Sequence, residues 1–149
     1  MKANKGFTLI ELLAVIVILA IIALIATPMI MGVVATAKQG AAEQSVIGFV
    51  DAVEKQSMIN ELENGAVYVD GEYTVTASNG TATITLAASG SAATHYDFPV
   101  KGEIPTTVGS GQKLVIADGQ VQDSELTAGG YAVEYTKSTG KAKVKTTNN

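Results

Sequence analysis

The feature that most constrains this chain is an apolar run over residues 7–31, 25 residues that carry a single charge, Glu11. A helix of that length rises about 37 Å, enough to cross a bilayer core of roughly 30 Å. Lys2 and Lys5 precede the run with no acid to offset them. The bias of positive charge toward the cytoplasm then places the N-terminus inside and the remainder of the chain outside.

Hydropathy alone does not account for Glu11. An acid at the centre of a membrane helix costs about 2.5–3.5 kcal/mol on insertion scales and less near an interface. Intramembrane carboxylates therefore point to a function with a partner to be named. The competing reading puts Glu11 in the first helical turn at headgroup level, stabilised by the positive end of the helix dipole.

The residues around it, Lys5-Gly6-Phe7-Thr8-Leu9-Ile10-Glu11-Leu12-Leu13, resemble the N-terminal motif of type IV prepilins and the related pseudopilins. The resemblance implies that a membrane-embedded aspartyl prepilin peptidase cuts on the cytoplasmic side after Gly6 and methylates the new N-terminal residue, Phe7. The family's glutamate falls on Glu11, which it implicates in subunit assembly, and its helix-interrupting proline falls on Pro28. Residues 1–6 become the leader, 7–31 the transmembrane and polymerisation helix, 32–64 an amphipathic helix and 65–149 an antiparallel β head. Many pilins close the C-terminal region with a disulfide, and this chain has no cysteine, so strand pairing must supply that anchoring.

Two other readings of the N-terminus compete. An ordinary secretory signal has a shorter apolar region and a small-residue cleavage site directly behind it. Ala35-Thr36-Ala37 offers such a site, but Pro28 and Gly32 separate it from the core of the run. An uncleaved signal anchor fits the hydropathy equally well and leaves Gly6, Glu11 and Pro28 as coincidences.

Pro28 removes the amide that would bond the Leu24 carbonyl and clashes with that turn, at about 3 kcal/mol or more in a helix interior. This predicts a kink or a locally unwound turn. Thr27 is placed to donate its hydroxyl to the Ala23 carbonyl, and Gly32 loosens the same region. From Val33 the pattern turns amphipathic: Val46, Phe49, Val50 and Val53 share one face, while Lys38, Glu43, Asp51 and Lys55 fall largely elsewhere. Asn64-Gly65 supplies the residue types that end a helix in the left-handed conformation. The expectation is one helix over residues 7–63, interrupted near Pro28.

Beyond Gly65 the period changes to two. Residues 73–77 and 82–86 alternate apolar and threonine around Asn79-Gly80, the strongest short hairpin signal. The two-residue loop sets Val75 opposite Ile84, Tyr73 opposite Leu86, Thr74 opposite Thr85 and Thr76 opposite Thr83. A second turn at Asp118-Gly119 sets Ile116 opposite Val121. A last hairpin puts Tyr131, Val133 and Tyr135 against Ala142 and Val144, with Lys137-Ser138-Thr139-Gly140 as its loop and Glu134 facing Lys143 as an exposed ion pair. Residues 87–111 read as a surface loop anchored by Phe98 and Val100. The predicted fold class is α+β: a long N-terminal helix, membrane-spanning then amphipathic, packed on a C-terminal antiparallel sheet. The roughly 118 residues beyond the apolar run suffice for one domain with a modest core.

Chemistry is sparse. His95 is the sole histidine and is placed in the loop; with no cysteine, zinc clusters and histidine-assisted nucleophiles lack members. Asp70 with Glu72, or Asp118 with Asp123, offers a carboxylate pair, but Asp70-Gly71 and Asp118-Gly119 are turn dipeptides first, and neither pair has a visible acid-base partner. Asn79-Gly80-Thr81 matches the glycosylation pattern, but the hairpin already explains it. No enzyme, cofactor or metal site is expected. Arginine is absent, and 14 acids face 10 lysines, so no basic nucleic-acid footprint is visible.

The resemblance thus implies a structural subunit that forms a homopolymer, the pilus filament. Its partners would be the prepilin peptidase/methyltransferase, the assembly platform and, before assembly, the membrane. The mature protein would lie outside the cell. A pseudopilin or minor pilin of a type II secretion or DNA-uptake machine, and a monomeric signal-anchored surface binding protein, stay open beside it.

Overall fold

The computed structural model describes residues 6–65, 68–86, 95–100, 103–109 and 111–145. One helix, α1 (Leu9–Asn64), precedes β1 (Gly71–Ser78), β2 (Thr81–Leu86), β3 (His95–Pro99), β4 (Leu114–Ala117), β5 (Gln120–Val121), β6 (Ser124–Ala128), β7 (Tyr131–Thr136) and β8 (Lys141–Val144). The chain divides into two compact units, Met1–Ala37 and Lys38–Asn149.

In the first unit α1 leaves its large apolar side chains exposed along its length, and it is long and apolar enough to cross a membrane. The helix begins at Leu9, two residues later than the hydropathy pattern suggests, because Thr8 stands outside it as the N-cap. It runs through Pro28 with no unwound turn. Thr27 Oγ1 donates to the Ala23 carbonyl at 2.7 Å and Thr36 Oγ1 to the Gly32 carbonyl at 3.1 Å. At the other end Gly65 adopts φ 70°, and its amide closes on the Glu61 carbonyl at 2.9 Å, the left-handed cap that Asn64-Gly65 implied.

In the second unit the face Ala42, Val46, Phe49, Val50 and Val53 is buried against strand residues including Tyr73, Val75, Ile84, Leu114, Ile116, Leu126 and Val133. Each fully buried side chain of this size contributes about 1.5–3 kcal/mol, so these few positions hold the helix on the sheet. The strands form a five-stranded antiparallel sheet, β3-β2-β1-β4-β5, and a three-stranded one, β6-β7-β8. Isolated bridges Thr106↔Thr127 and Lys113↔Glu125 link them.

The β1–β2 register pairs Val75 with Ile84 and Tyr73 with Leu86, and β4–β5 pairs Ile116 with Val121, as the alternation predicted. Asn79 and Gly80, and likewise Asp118 and Gly119, have positive φ at both central positions. That is the turn whose twist matches a hairpin.

Further expectations are corrected in the second unit. Residues 87–111 are not one loop: within them β3 pairs with β2, Phe98 is buried and stacks on Phe49 with centroids 6.1 Å apart, and Thr107 exchanges backbone and hydroxyl bonds with Val75. The rest of that stretch, residues 87–94, 101–102 and 110, lies outside the described residues. His95 is accordingly a strand residue, exposed opposite Thr85. Glu134 and Lys143 do face each other, but the ion pairs among the described residues are Lys113–Glu72 and Lys145–Glu125. Glu43 is not simply on the wet face: its Oε1 accepts the Val144 amide at 2.9 Å, and Glu54 Oε1 accepts that of Val121 at 3.1 Å.

Candidate assembly site at the N-terminus

Gly6, Phe7 and Thr8 lead into α1 as non-helical backbone. Gly6 is exposed, and among the described residues nothing beyond its chain neighbours lies within 4 Å of where a Cβ would sit. Phe7 is 89 % exposed. Gly6 and Phe7 are thus both exposed ahead of α1.

Glu11 is held by Thr8. The Thr8 amide donates to Glu11 Oε2 at 2.8 Å, the Thr8 hydroxyl donates to the same oxygen at 2.7 Å, and the Glu11 amide donates back to Thr8 Oγ1 at 3.4 Å. This is a capping box, in which Ncap and N3 side chains satisfy amides that the first helical turn leaves unpaired. Both bonds to the carboxylate fall on Oε2, so Oε1 has no partner among the described residues. The sequence motif Thr8-x-x-Glu11 is the signature of this box; hydropathy reasoning passed over it and so missed Thr8.

Gly6, Phe7 and Glu11 are thus gathered at one exposed helix start, and Pro28 lies farther along the same helix. Exposed Met29 and Val33 follow Pro28. Among the described residues no group of three or more His, Cys, Asp or Glu side chains is arranged to hold a metal ion.

Residues 1–27 match the family model described as the prokaryotic N-terminal methylation motif. Comparison with curated proteins and with solved structures returned no match. The chain therefore carries the type IV prepilin signature at its N-terminus. Together with the apolar helix, that signature supports a place among type IV pilin-like prepilins and pseudopilins: a membrane-anchored precursor, processed by a prepilin peptidase and assembled with other subunits, in a structural role.

Proposed function

We propose that this chain is the structural subunit of a type IV pilus filament. The observation that carries the reading is the signature over residues 1–27, set on an apolar helix half whose one carboxylate has an oxygen with no partner among the described residues. The leader, residues 1–6, is removed after Gly6 and Phe7 is N-methylated. Residues 7–31 leave the membrane for an apolar bundle of like helices, and residues 32–64 carry the head, 65–149, on the outside of the filament.

The new amine on Phe7 of one subunit meets Glu11 of its neighbour. Each charge buried alone costs several kcal/mol, whereas the hydrogen-bonded pair largely offsets that cost. The pair thereby fixes axial register. Pro28, whose turn already lacks one backbone bond, is where the helix bends or opens as subunits pack.

The test is the mature N-terminus together with a shearing experiment. Mass analysis finds a chain that starts at methylated Phe7, and mechanical shearing of intact cells releases a filament in which this chain dominates. A retained Met1 refutes the processing. A correctly processed chain that is scarce in the sheared fraction transfers the assignment to a pseudopilin or minor pilin.

A further inference from the structure

The last turn of α1 breaks a local rule. A helix C-terminus presents unpaired carbonyls and the negative end of the macrodipole, which favour cationic side chains. Yet α1 has no basic residue there and carries Glu61 and Glu63. Beside them Met58 and Leu62, one helical turn apart, are 56 % and 87 % exposed. Neither acid joins either of the two ion pairs among the described residues. Such conflicts with local preference, unrelieved among the described residues, are expected where a surface serves function. The chemistry that would relieve this one is a cation brought from outside, next to apolar cover.

The same chain carries a matching surface. On β8 Lys141 and Lys143 point to solvent while Ala142, between them, is buried. Neither lysine joins an ion pair among the described residues. On that face Glu125, Glu134 and Lys143 stand in one cross-strand row, and Lys141 stands opposite Thr136.

We propose that the end of α1 in one copy docks on the solvent face of β8 in a second copy, covering Met58 and Leu62 and pairing Glu61 and Glu63 with Lys141 and Lys143. The two surfaces differ, so the contact is heterologous and extends a chain of subunits or closes a ring, unlike a self-complementary dimer. The inference rests on the polymeric reading above and adds a second contact, between heads, to the one at Phe7 and Glu11.

The absence of cysteine makes the test direct. Full-length Glu63→Cys and Lys143→Cys chains, co-expressed and mildly oxidised as filaments, give a covalent dimer, and neither variant alone does. Glu61→Lys with Glu63→Lys lowers sheared filament yield roughly tenfold or more, since like charges then face each other. Lys141→Glu with Lys143→Glu does the same, and the two pairs of changes combined restore the yield. Filaments that form normally without the crosslink, or yield that stays low in the combined variant despite normal processing, overturn the head contact alone. An unaltered chain that never sediments as a polymer overturns the assembly reading and this contact with it.

Discussion

Glu11→Gln separates the two jobs that Glu11 is placed to do. Glutamine also serves the third helical position of a capping box, so its side-chain oxygen can still accept from the Thr8 amide and hydroxyl that now bind Oε2 at 2.8 and 2.7 Å. What is lost locally is the charge at an exposed helix start, worth about 0.3–1 kcal/mol. What is lost between subunits is larger. The incoming Phe7 amine faces no carboxylate, and an uncompensated charge in an apolar setting costs about 3–5 kcal/mol. At 1.4 kcal/mol per factor of ten this weakens subunit addition roughly a hundred- to several-thousandfold. The expected outcome is a chain inserted and cleaved normally that yields almost no filament. The measurement is sheared filament against total processed subunit in cells that express only the variant. Glu11→Ala, which removes cap and charge together, should behave no better. Normal yield from Glu11→Gln beside failure of Glu11→Ala would show that the cap is what matters and refute the charge argument.

Three further outcomes follow from the same geometry. Gly6→Leu, which meets no described residue near a Cβ there, should block cleavage, so that precursor accumulates in the membrane fraction; normal release of mature chain would contradict the processing site. Deleting residues 1–34 should leave a soluble, folded α+β monomer, since the compact unit Lys38–Asn149 holds the buried core; circular dichroism and sedimentation decide it. That fragment should lose stability in alkali. Burial beside Tyr96 pushes the Tyr68 hydroxyl up to about 12 and raises that of Tyr73 as well, while an unfolded phenol titrates near 10. Above about pH 10 the unfolded chain therefore releases protons first, and the stability present below that pH is lost as pH rises through the folded values. A melting temperature flat from about pH 9 to 11.5 would be the contrary result.

The sequence made the helix legible because its signals are local: an unbroken apolar run, a 3–4 spacing over residues 46–53, and Asn64-Gly65 at the end. The β1–β2 and β7–β8 registers were legible because Asn79-Gly80 and a four-residue loop fix them within the hairpin. What stayed hidden was held by distant partners. In β3 a proline and only Tyr96 and Phe98 as large apolar residues leave little alternation to read, and its strand character comes from pairing with β2. In β6 the inward positions are Ser124, Leu126 and Ala128, so small and polar residues mask the period. Ser124 is buried because its hydroxyl accepts the Val115 amide at 3.0 Å and donates to the Gln122 carbonyl at 2.8 Å. Gly129-Gly130, both at positive φ, formed the turn between β6 and β7, and a glycine pair without flanking alternation was easy to pass over. At the site, Gly6, Phe7 and Glu11 came from the resemblance, and Thr8 needed only the capping pattern.

In the proposed reading the subunit polymerises through its helix and has to avoid polymerising through its sheet, and Glu43 and Glu54 bear on that. An edge strand offers unpaired amides that template pairing with another chain. Two such amides, Val144 on β8 and Val121 on β5, are instead taken by glutamates of α1 at 2.9 and 3.1 Å. Hydrogen bonds to a charged acceptor contribute about 1.5–3 kcal/mol, and a part-buried amide left unpaired costs about 1–3 kcal/mol. Glu43→Ala and Glu54→Ala should therefore each lower the stability of the fragment lacking residues 1–34 by about 1–3 kcal/mol. Glu→Gln at either position, which keeps an acceptor oxygen, should lose less. With both alanines present the two edges open together, and the fragment should associate in a concentration-dependent way with added β-signal, where the parent stays monomeric. Urea unfolding measures the first effect and sedimentation the second. Unchanged midpoints would mean that water serves these amides as well as the glutamates do, and a double variant that is destabilised yet monomeric would confine the carboxylates to holding strands on the helix.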